Sequence, residues 1–248
     1  MRLFLHQLRA DQLIFWRSRE AAVFVFVFPI LLFLLLSTVY SGTYHGHPLH
    51  DYLVPALVGY GTVNTAFGGL AILLVIRREQ GLLKRIRATP LPPPTYLAAV
   101  LASILLVFAI QACVLVGLGR LLYGSELPSR PFSLLAGAAV GAASFAALGV
   151  ALSGLIRSAE GSSPVVNVIV LPMTFLSGGF GPTRHFPHVL QVVADLLPLK
   201  YLIDVLKSVY LDHESITGQG PALAVVAAWG VVGVVVALRA FHWEPREA

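Results

Sequence analysis

Apolar runs long enough to cross a bilayer recur six times along this 248-residue chain, and almost no charge interrupts them. A helix needs about 20 apolar residues to cross the roughly 30 Å hydrocarbon layer. In lipid the backbone must satisfy its own hydrogen bonds, which leaves helices and closed barrels. Barrel strands alternate over about ten residues, and these runs do not fit that pattern as well. Charged residues make up 12% of the chain, against about a quarter in soluble domains. The sequence therefore predicts an all-α membrane protein, one domain over residues 1–248, with spans at about 21–40, 53–76, 97–119, 132–156, 164–180 and 221–240.

Lysine and arginine orient the spans. With the N-terminus inside, the inner segments hold twelve of these cations and the outer segments five, and the first outer loop has none. The positive-inside rule then places both termini in the cytoplasm of a multi-pass protein of the cell membrane. Arg2, Arg9, Asp11, Arg17, Arg19 and Glu20 make the first twenty residues unlike a cleaved signal peptide. The net charge of +5 sits at span ends and is not a nucleic-acid footprint. The lone Cys113 permits no intrachain disulfide and reads as a small buried apolar residue.

The charge is most concentrated at 77–87. Five of these eleven residues are cationic and one, Glu79, is anionic. Leu82, Leu83 and Ile86 share one helical face, and Arg78, Lys84, Arg85 and Arg87 spread over the rest. The run from Thr89 through Pro90, Leu91, Pro92, Pro93 and Pro94 stops any helix and makes a stiff elbow. This segment is either a docking element for a cytoplasmic partner or a loop that only sets topology.

Three further segments lie outside the spans. Residues 1–19 form a moderately amphipathic helix suited to the inner surface, with Arg2, His6, Arg9 and Arg17 on one side and Phe4, Leu8 and Phe15 on another; a plain basic flank is the alternative. In 181–220, Pro182, Pro187 and Pro198 divide the chain. Leu199, Leu202, Val205, Leu206 and Val209 then repeat at helical spacing, opposite Lys200, Asp204 and Lys207, where Asp204 can pair with either lysine. Two short helices here either dip into the outer leaflet and return or lie on the surface as a cap. Loop 41–52 carries His45, His47, His50 and Asp51. Without a fourth ligand in a fixed frame these read as solvated histidines rather than a metal site.

Several chemistries are excluded. No G-x-x-x-x-G-K-[ST] occurs, so the chain has no phosphate-cradling loop of that kind. H-E-x-x-H, C-x-x-C and G-x-S-x-G are also missing. The spans hold almost no ionisable residue, which disfavours ion-coupled transport and acid–base catalysis within the bilayer. Any energy source must be external to this polypeptide. Gly137 and Gly141 form GxxxG, which serves packing within the chain or between subunits. Asn64 and Thr65 in span two, with Thr174, Ser177 and Gly178 near the end of span five, offer uncharged polar contacts. They suit a pathway for an amphipathic or lipid-like substrate, and hydrogen bonds between helices explain them equally well.

Three segments resemble the ABC type-2 permease family of membrane subunits related to bacterial drug and lipid exporters. Arg78, Glu79, Gly81 and Ile86 followed by Thr89-Pro90-Leu91 look like its R-E-x-G-x-x-x-x-[LI]-x-x-[ST]-P-[LV] segment. Phe175-Leu176-Ser177-Gly178 followed by Pro182 is similar to F-L-S-G-x-x-x-P. Leu197-Pro198-Leu199, Tyr201-Leu202 and Asp204, closing with Lys207, resemble N-P-[LV]-x-[YH]-x-[IV]-[DE]-x-[LI]-R, with Leu197 in place of Asn and Lys207 in place of Arg. The resemblance covers essentially the whole chain in order.

By this resemblance, 77–87 is a coupling helix that docks on a separate ATPase subunit, through Arg78, Glu79, Gly81, Leu82, Leu83, Lys84, Arg85 and Ile86. Residues 1–19 are an interfacial helix, and 182–211 a re-entrant outer pair forming a gate with Pro182, Pro198, Tyr201, Asp204 and Lys207. The expected unit is two permease chains, a homodimer, with two ATPase subunits. Spans two and five line a path on the dimer axis. The chain itself is expected to be no enzyme and to hold no cofactor or metal, ATP and magnesium belonging to the partner. The competing function is a polytopic scaffold that recruits a cytosolic protein without transport.

Overall fold

Prolines and small residues decide where the helices begin and end. The computed structural model describes residues 2–39, 42–44, 46–183 and 186–242. His45, Arg184 and Arg246, which enter the loop and orientation readings above, lie outside them. The helices are α1 (Arg2–Arg17), α2 (Arg19–Val39), α3 (Leu49–Thr62), α4 (Leu70–Glu79), α5 (Leu82–Arg87), α6 (Pro93–Tyr123), α7 (Pro131–Leu155), α8 (Ala159–Leu176), α9 (His188–Asp195), α10 (Pro198–Tyr210) and α11 (Gly220–Ala240). A π-helical segment, Val63–Gly69, joins α3 to α4 into one continuous rod. Proline stands in the first turn of α6, α7, α10 and α11, where its missing N–H has no helical partner to lose. Gly124 closes α6 at φ 72°, a left-handed geometry that glycine adopts without steric cost.

Six of these rods are long and apolar enough to cross a membrane: Ala22–Val39, Leu49–Glu79, Pro94–Tyr123, Pro131–Leu155, Ala159–Leu176 and Ile216–Ala240. The fifth begins five residues before the expected 164. Ser158 caps it by accepting from the Gly161 N–H at 3.2 Å, and Pro164 is carried inside the helix. It also ends at Leu176, so Ser177 and Gly178 lie in the following turn, with Gly178 at φ 75°.

The rod α3–π–α4 is the centre of the bundle. Leu53, Val54, Ala56, Leu57, Val63, Leu70, Ala71 and Val75 are all fully enclosed. In contrast, α2 and α11 turn Val23, Phe24, Leu31 and Leu35, or Val231, Val232, Val234 and Leu238, outward. Cys113 is exposed, not buried as expected from its apolar setting. A membrane helix inverts that inference, because its outward face is the apolar one.

Close helix contact comes from glycine. The GxxxG pair packs within the chain: a Cβ on Gly141 would fall 2.5 Å from the Leu202 side chain, and one on Gly137 3.3 Å from Val205. Gly233 of α11 lies against the α7 backbone, where a Cβ would meet the Leu148 nitrogen at 2.6 Å. A leucine side chain can rotate away and a backbone cannot. Gly233→Ala is therefore expected to cost about 1–3 kcal/mol and Gly141→Ala less, read as the loss in Tm of the detergent-solubilised protein.

At one end of the bundle lie α1 and the α4–α5 turn, called here the basic end. The opposite end carries a two-residue hairpin, Thr43–Tyr44 with His47–Pro48, together with α9 and α10. The chain does break at Pro198 into two short helices. Helix α10 buries Leu199, Leu202, Val205, Leu206 and Val209 against α3, α7 and α11, as its spacing predicts. Helix α9 instead exposes Val189, Val192, Val193 and Leu196.

Candidate functional site

The basic end is held by ionic contacts that converge on three consecutive residues. The Arg77 guanidinium donates to Asp11 Oδ1 at 2.6 Å and to the Tyr96 hydroxyl at 2.7 Å. Both members of the ion pair are buried, at 6% and 5% exposure. Gln12, one residue on, donates to the carbonyl and hydroxyl of Ser103 at 2.9 and 2.8 Å. Helix α1 is thus fastened to α4 and α6. Arg78, 2% exposed, donates to the Ser153 carbonyl at 2.8 Å and to that of Ile156. It satisfies the last carbonyls of α7, where the helix dipole favours a cation. Glu79 Oε2 accepts from the Ala159 N–H at 2.7 Å, and so satisfies a free donor at the N-terminus of α8.

The segment 77–87 is consequently not one helix. Residues 77–79 finish the long rod, Gly81 turns the chain at φ 68°, and the six residues of α5 follow. The apolar side of α5 faces this chain: Leu83 is fully enclosed, and Leu82 and Ile86 are half-buried. Leu83 of the expected apolar face is thus covered by this chain, while Leu82 and Ile86 stay partly open. Arg78 and Leu83 hold the turn in place, and the surface left open is Glu79, Gln80, Lys84 and Arg85. Asp11 was legible only as an acid out of place in a basic helix, and no pattern in the sequence names Arg77 as its partner.

A cavity of about 560 Å³ runs from the Asp11–Arg77 pair to the π segment at the middle of the rod. Its walls come from α1, α2, the π segment, α4, α6 and α8, and are mostly apolar. Asn64, Thr65, Ser163 and Asn167 supply polar points, and the buried Thr65 hydroxyl has no hydrogen-bond partner among the described residues. Single turns of π-helix are frequent at functional sites because they re-aim side chains. Within the widened turn Gly68 approaches Val166 on α8 closely, and a Cβ there would lie 2.8 Å from the valine methyl.

The five residues expected along the pathway divide. Asn64 and Thr65 line this cavity, whereas Ser177 lines a second, polar pocket at the opposite end. Thr174 is fully buried and bonds the Val170 carbonyl at 2.7 Å, and Gly178 forms a turn beside Tyr52. Gln111 was missed: it donates to the Val25 carbonyl at 3.0 Å and ties α6 to α2.

The second pocket, about 310 Å³, is lined by residues including Tyr52, Ser177, Lys200, Asp204 and Lys207. Of the expected gate residues, Asp204 and Lys207 reach it. Pro198 starts α10, Tyr201 donates to the Asp195 carbonyl at 2.8 Å and locks α9 to α10, and Pro182 is half-buried in the preceding loop. Lys200 bonds Asp195, and Lys207 bonds the Tyr52 hydroxyl with its ammonium 3.8 Å from the ring centre, so neither lysine closes on Asp204 as the helical spacing suggested. His47 lies 3.6 Å from Asp212, while His50 stacks on Tyr123. The two loop histidines serve different neighbours.

Burial pushes the Lys207 ammonium down to about 8, against the opposing charge of Asp204. An ordinary lysine titrates near 10.4. Between the two values the unfolded chain binds a proton that the folded chain does not, so stability rises with pH there. The penalty is fully present below about pH 8. Across that alkaline window, the wild type is expected to gain Tm relative to Lys207→Met; parallel Tm curves for the two proteins contradict this.

Comparison with known proteins identifies the architecture. Residues 2–211 match the family described as ABC-2 type transporter. The chain belongs to that family. With six helices long and apolar enough to cross a bilayer, it is a multi-pass membrane protein. It is similar to the probable multidrug ABC transporter permease YbhR of Escherichia coli strain K12, at 22% identity over 72% of this chain and 50% of that protein. The putative transport permease YvfS of Bacillus subtilis strain 168 is 28% identical over 56% of this chain and 57% of that protein. Nodulation protein J of Rhizobium leguminosarum bv. trifolii is 33% identical over 28% of this chain and 26% of its own length. The alignments with YbhR and YvfS thus span about half the length of those relatives. For this ABC-2 chain, the match takes in the α4–α5 turn, the π segment and both short helices α9 and α10.

Proposed function

We propose that this chain is the permease subunit of an ATP-driven exporter of an amphipathic or lipid-like substrate, working in the cell membrane with a separate ABC ATPase. The basic end faces the cytoplasm in this reading, as do both termini. The observation that carries it is the convergence at 77–79. Three consecutive side chains connect the α4–α5 turn to α1, α6, α7 and α8. A force on α5 reaches four elements through rigid, charge-assisted contacts rather than through a soft loop. ATP and magnesium act in the partner, and α5 transmits the closure of its nucleotide sites. The names of YbhR and YvfS, a probable multidrug permease and a putative transport permease, support transport as the activity.

A second copy of the chain completes the unit. Helix α8 turns Ser163 and Asn167 outward among Val165, Val168, Leu171 and Phe175. Asn167 Nδ2 donates to Ser163 Oγ at 3.3 Å, and the rest of an outward amide in the apolar middle of a span is costly in lipid unless another helix satisfies it. Pairing α8 with its symmetry mate places the two 560 Å³ cavities beside a common axis. The mostly apolar walls with scattered hydroxyls and amides suit a substrate that is itself amphipathic.

The test is reconstitution of the chain with the ATPase that co-purifies with it. Reversing the open charges of α5 with Lys84→Glu and Arg85→Glu is expected to lower co-purification and transport together, while yield and Tm stay at wild-type level. Undiminished transport by that variant overturns the proposal.

A further inference from the structure

The polar pocket at the end opposite α5 holds an ion ladder that does not close on itself. Lys200, Asp204 and Lys207 lie at i, i+4 and i+7 on one face of α10, yet both lysines bond elsewhere, to Asp195 and Tyr52. No described side chain hydrogen-bonds Asp204. An ammonium has three N–H donors, and the hydrogen bond to Tyr52 uses one from Lys207. Ser177, 3% exposed on the same pocket wall, has a hydroxyl with no hydrogen-bond partner among the described residues. A buried hydroxyl left without a partner is a standing cost that a bound group relieves.

Lys200 is already paired with Asp195 and Asp212 lies 3.6 Å from His47, so Lys207 and Asp204 are the two opposite charges the pocket leaves unmatched. A simple anion meets the Asp204 carboxylate there, and a simple cation meets the Lys207 ammonium. A molecule carrying both charges satisfies the pocket. We propose that this pocket binds a zwitterion with a primary ammonium close to an oxyanion, the chemistry of an ethanolamine phosphate group. The oxyanion accepts from Lys207 Nζ and Ser177 Oγ, and the ammonium donates to Asp204. Tyr52 holds the lysine in place through its hydroxyl and ring face.

The depth of the pocket fits a lipid headgroup. Its walls are the first turn of α3, the turn after α8 and the helix α10, all at span ends, the level at which tyrosine and lysine meet the headgroup layer. A free solute with the same two charges satisfies the same groups. The inference rests on α10 lying at the outer ends of the spans, and its test needs neither ATPase nor transport, so its failure leaves the transport reading standing.

The purified full-length chain is equilibrated with equal amounts of phosphatidylethanolamine and phosphatidylglycerol, and retained lipid is counted by native mass spectrometry. The wild type is expected to retain the zwitterionic lipid about tenfold over the anionic one, the worth of one charge-assisted hydrogen bond. Asp204→Asn is expected to abolish or invert that preference, and Lys207→Met to lose both lipids. Ser177→Ala removes only an unpartnered hydroxyl; it leaves Tm unchanged and weakens retention several-fold, and it keeps the test decisive where the charge variants fold poorly. Water-soluble O-phosphoethanolamine assigns the source: displacement of the lipid at millimolar concentration supports a solute site, and no displacement supports a membrane lipid. Equal retention of the two lipids by the wild type with no binding of O-phosphoethanolamine, or an unchanged preference in Asp204→Asn, overturns the proposal.

Discussion

Replacing Asp11 with alanine is expected to destabilise the protein by about 3–5 kcal/mol, because it leaves the Arg77 guanidinium buried without its carboxylate. The cost comes from the stranded charge more than from the lost attraction. Arg77→Met in the same chain removes that charge, and the double variant is expected to recover much of the loss. A double-mutant cycle on Tm or denaturant midpoint, in detergent, measures this coupling directly. If the pair were a solvated surface contact, the single variant would cost less than about 1 kcal/mol and the cycle would show no coupling. Limited proteolysis gives a second readout: release of α1 exposes the segment around Ser18, where α1 and α2 meet.

The second large effect falls on function. Glu79→Ala removes the carboxylate that accepts from the Ala159 N–H and frees the start of α8 from the α4–α5 turn. If that bond transmits motion from α5 to the span that borders the 560 Å³ cavity, coupled transport drops by about tenfold or more, within the usual 5–150-fold range of coupling between sites. ATP hydrolysis by the partner continues. Glu79→Gln keeps an acceptor oxygen without the charge and is expected to fall between the two. The bond is exposed, so stability changes little, by about 1 kcal/mol or less. A loss of transport accompanied by an equal loss of folded protein would reduce Glu79 to a structural cap.

The spans were legible because apolar length alone decides them: nothing but a helix of about 20 residues fits such runs in lipid. Helix α10 was legible for a related reason, since the spacing of Leu199, Leu202, Val205, Leu206 and Val209 marks a single face whatever covers it. The inner end was legible as a concentration of charge but not as a set of contacts. Arg77, Arg78 and Glu79 are adjacent in sequence and reach four different helices, and pairing over 66 or 75 residues leaves no local pattern. The apolar side of α5 was legible, but not that Leu83 is covered by this chain, because a six-residue helix cannot hold its place without burying something. The π segment had no signal beyond Gly68-Gly69, since the helix that packs closely on Gly68, α8, comes from a distant part of the chain.

The central claim is that α5 is the place where an external ATPase acts on this permease. Its most direct test is site-specific cross-linking in native membranes, with Lys84→Cys placed on the open face of α5 and the exposed Cys113 changed to serine. A short bifunctional reagent is expected to join position 84 to a protein carrying a G-x-x-x-x-G-K-[ST] motif, with the yield changing when ATP is bound. A cysteine in place of Leu211, near the opposite end, gives no such adduct. If the ATPase co-purifies with the chain yet never cross-links from position 84, the account is contradicted.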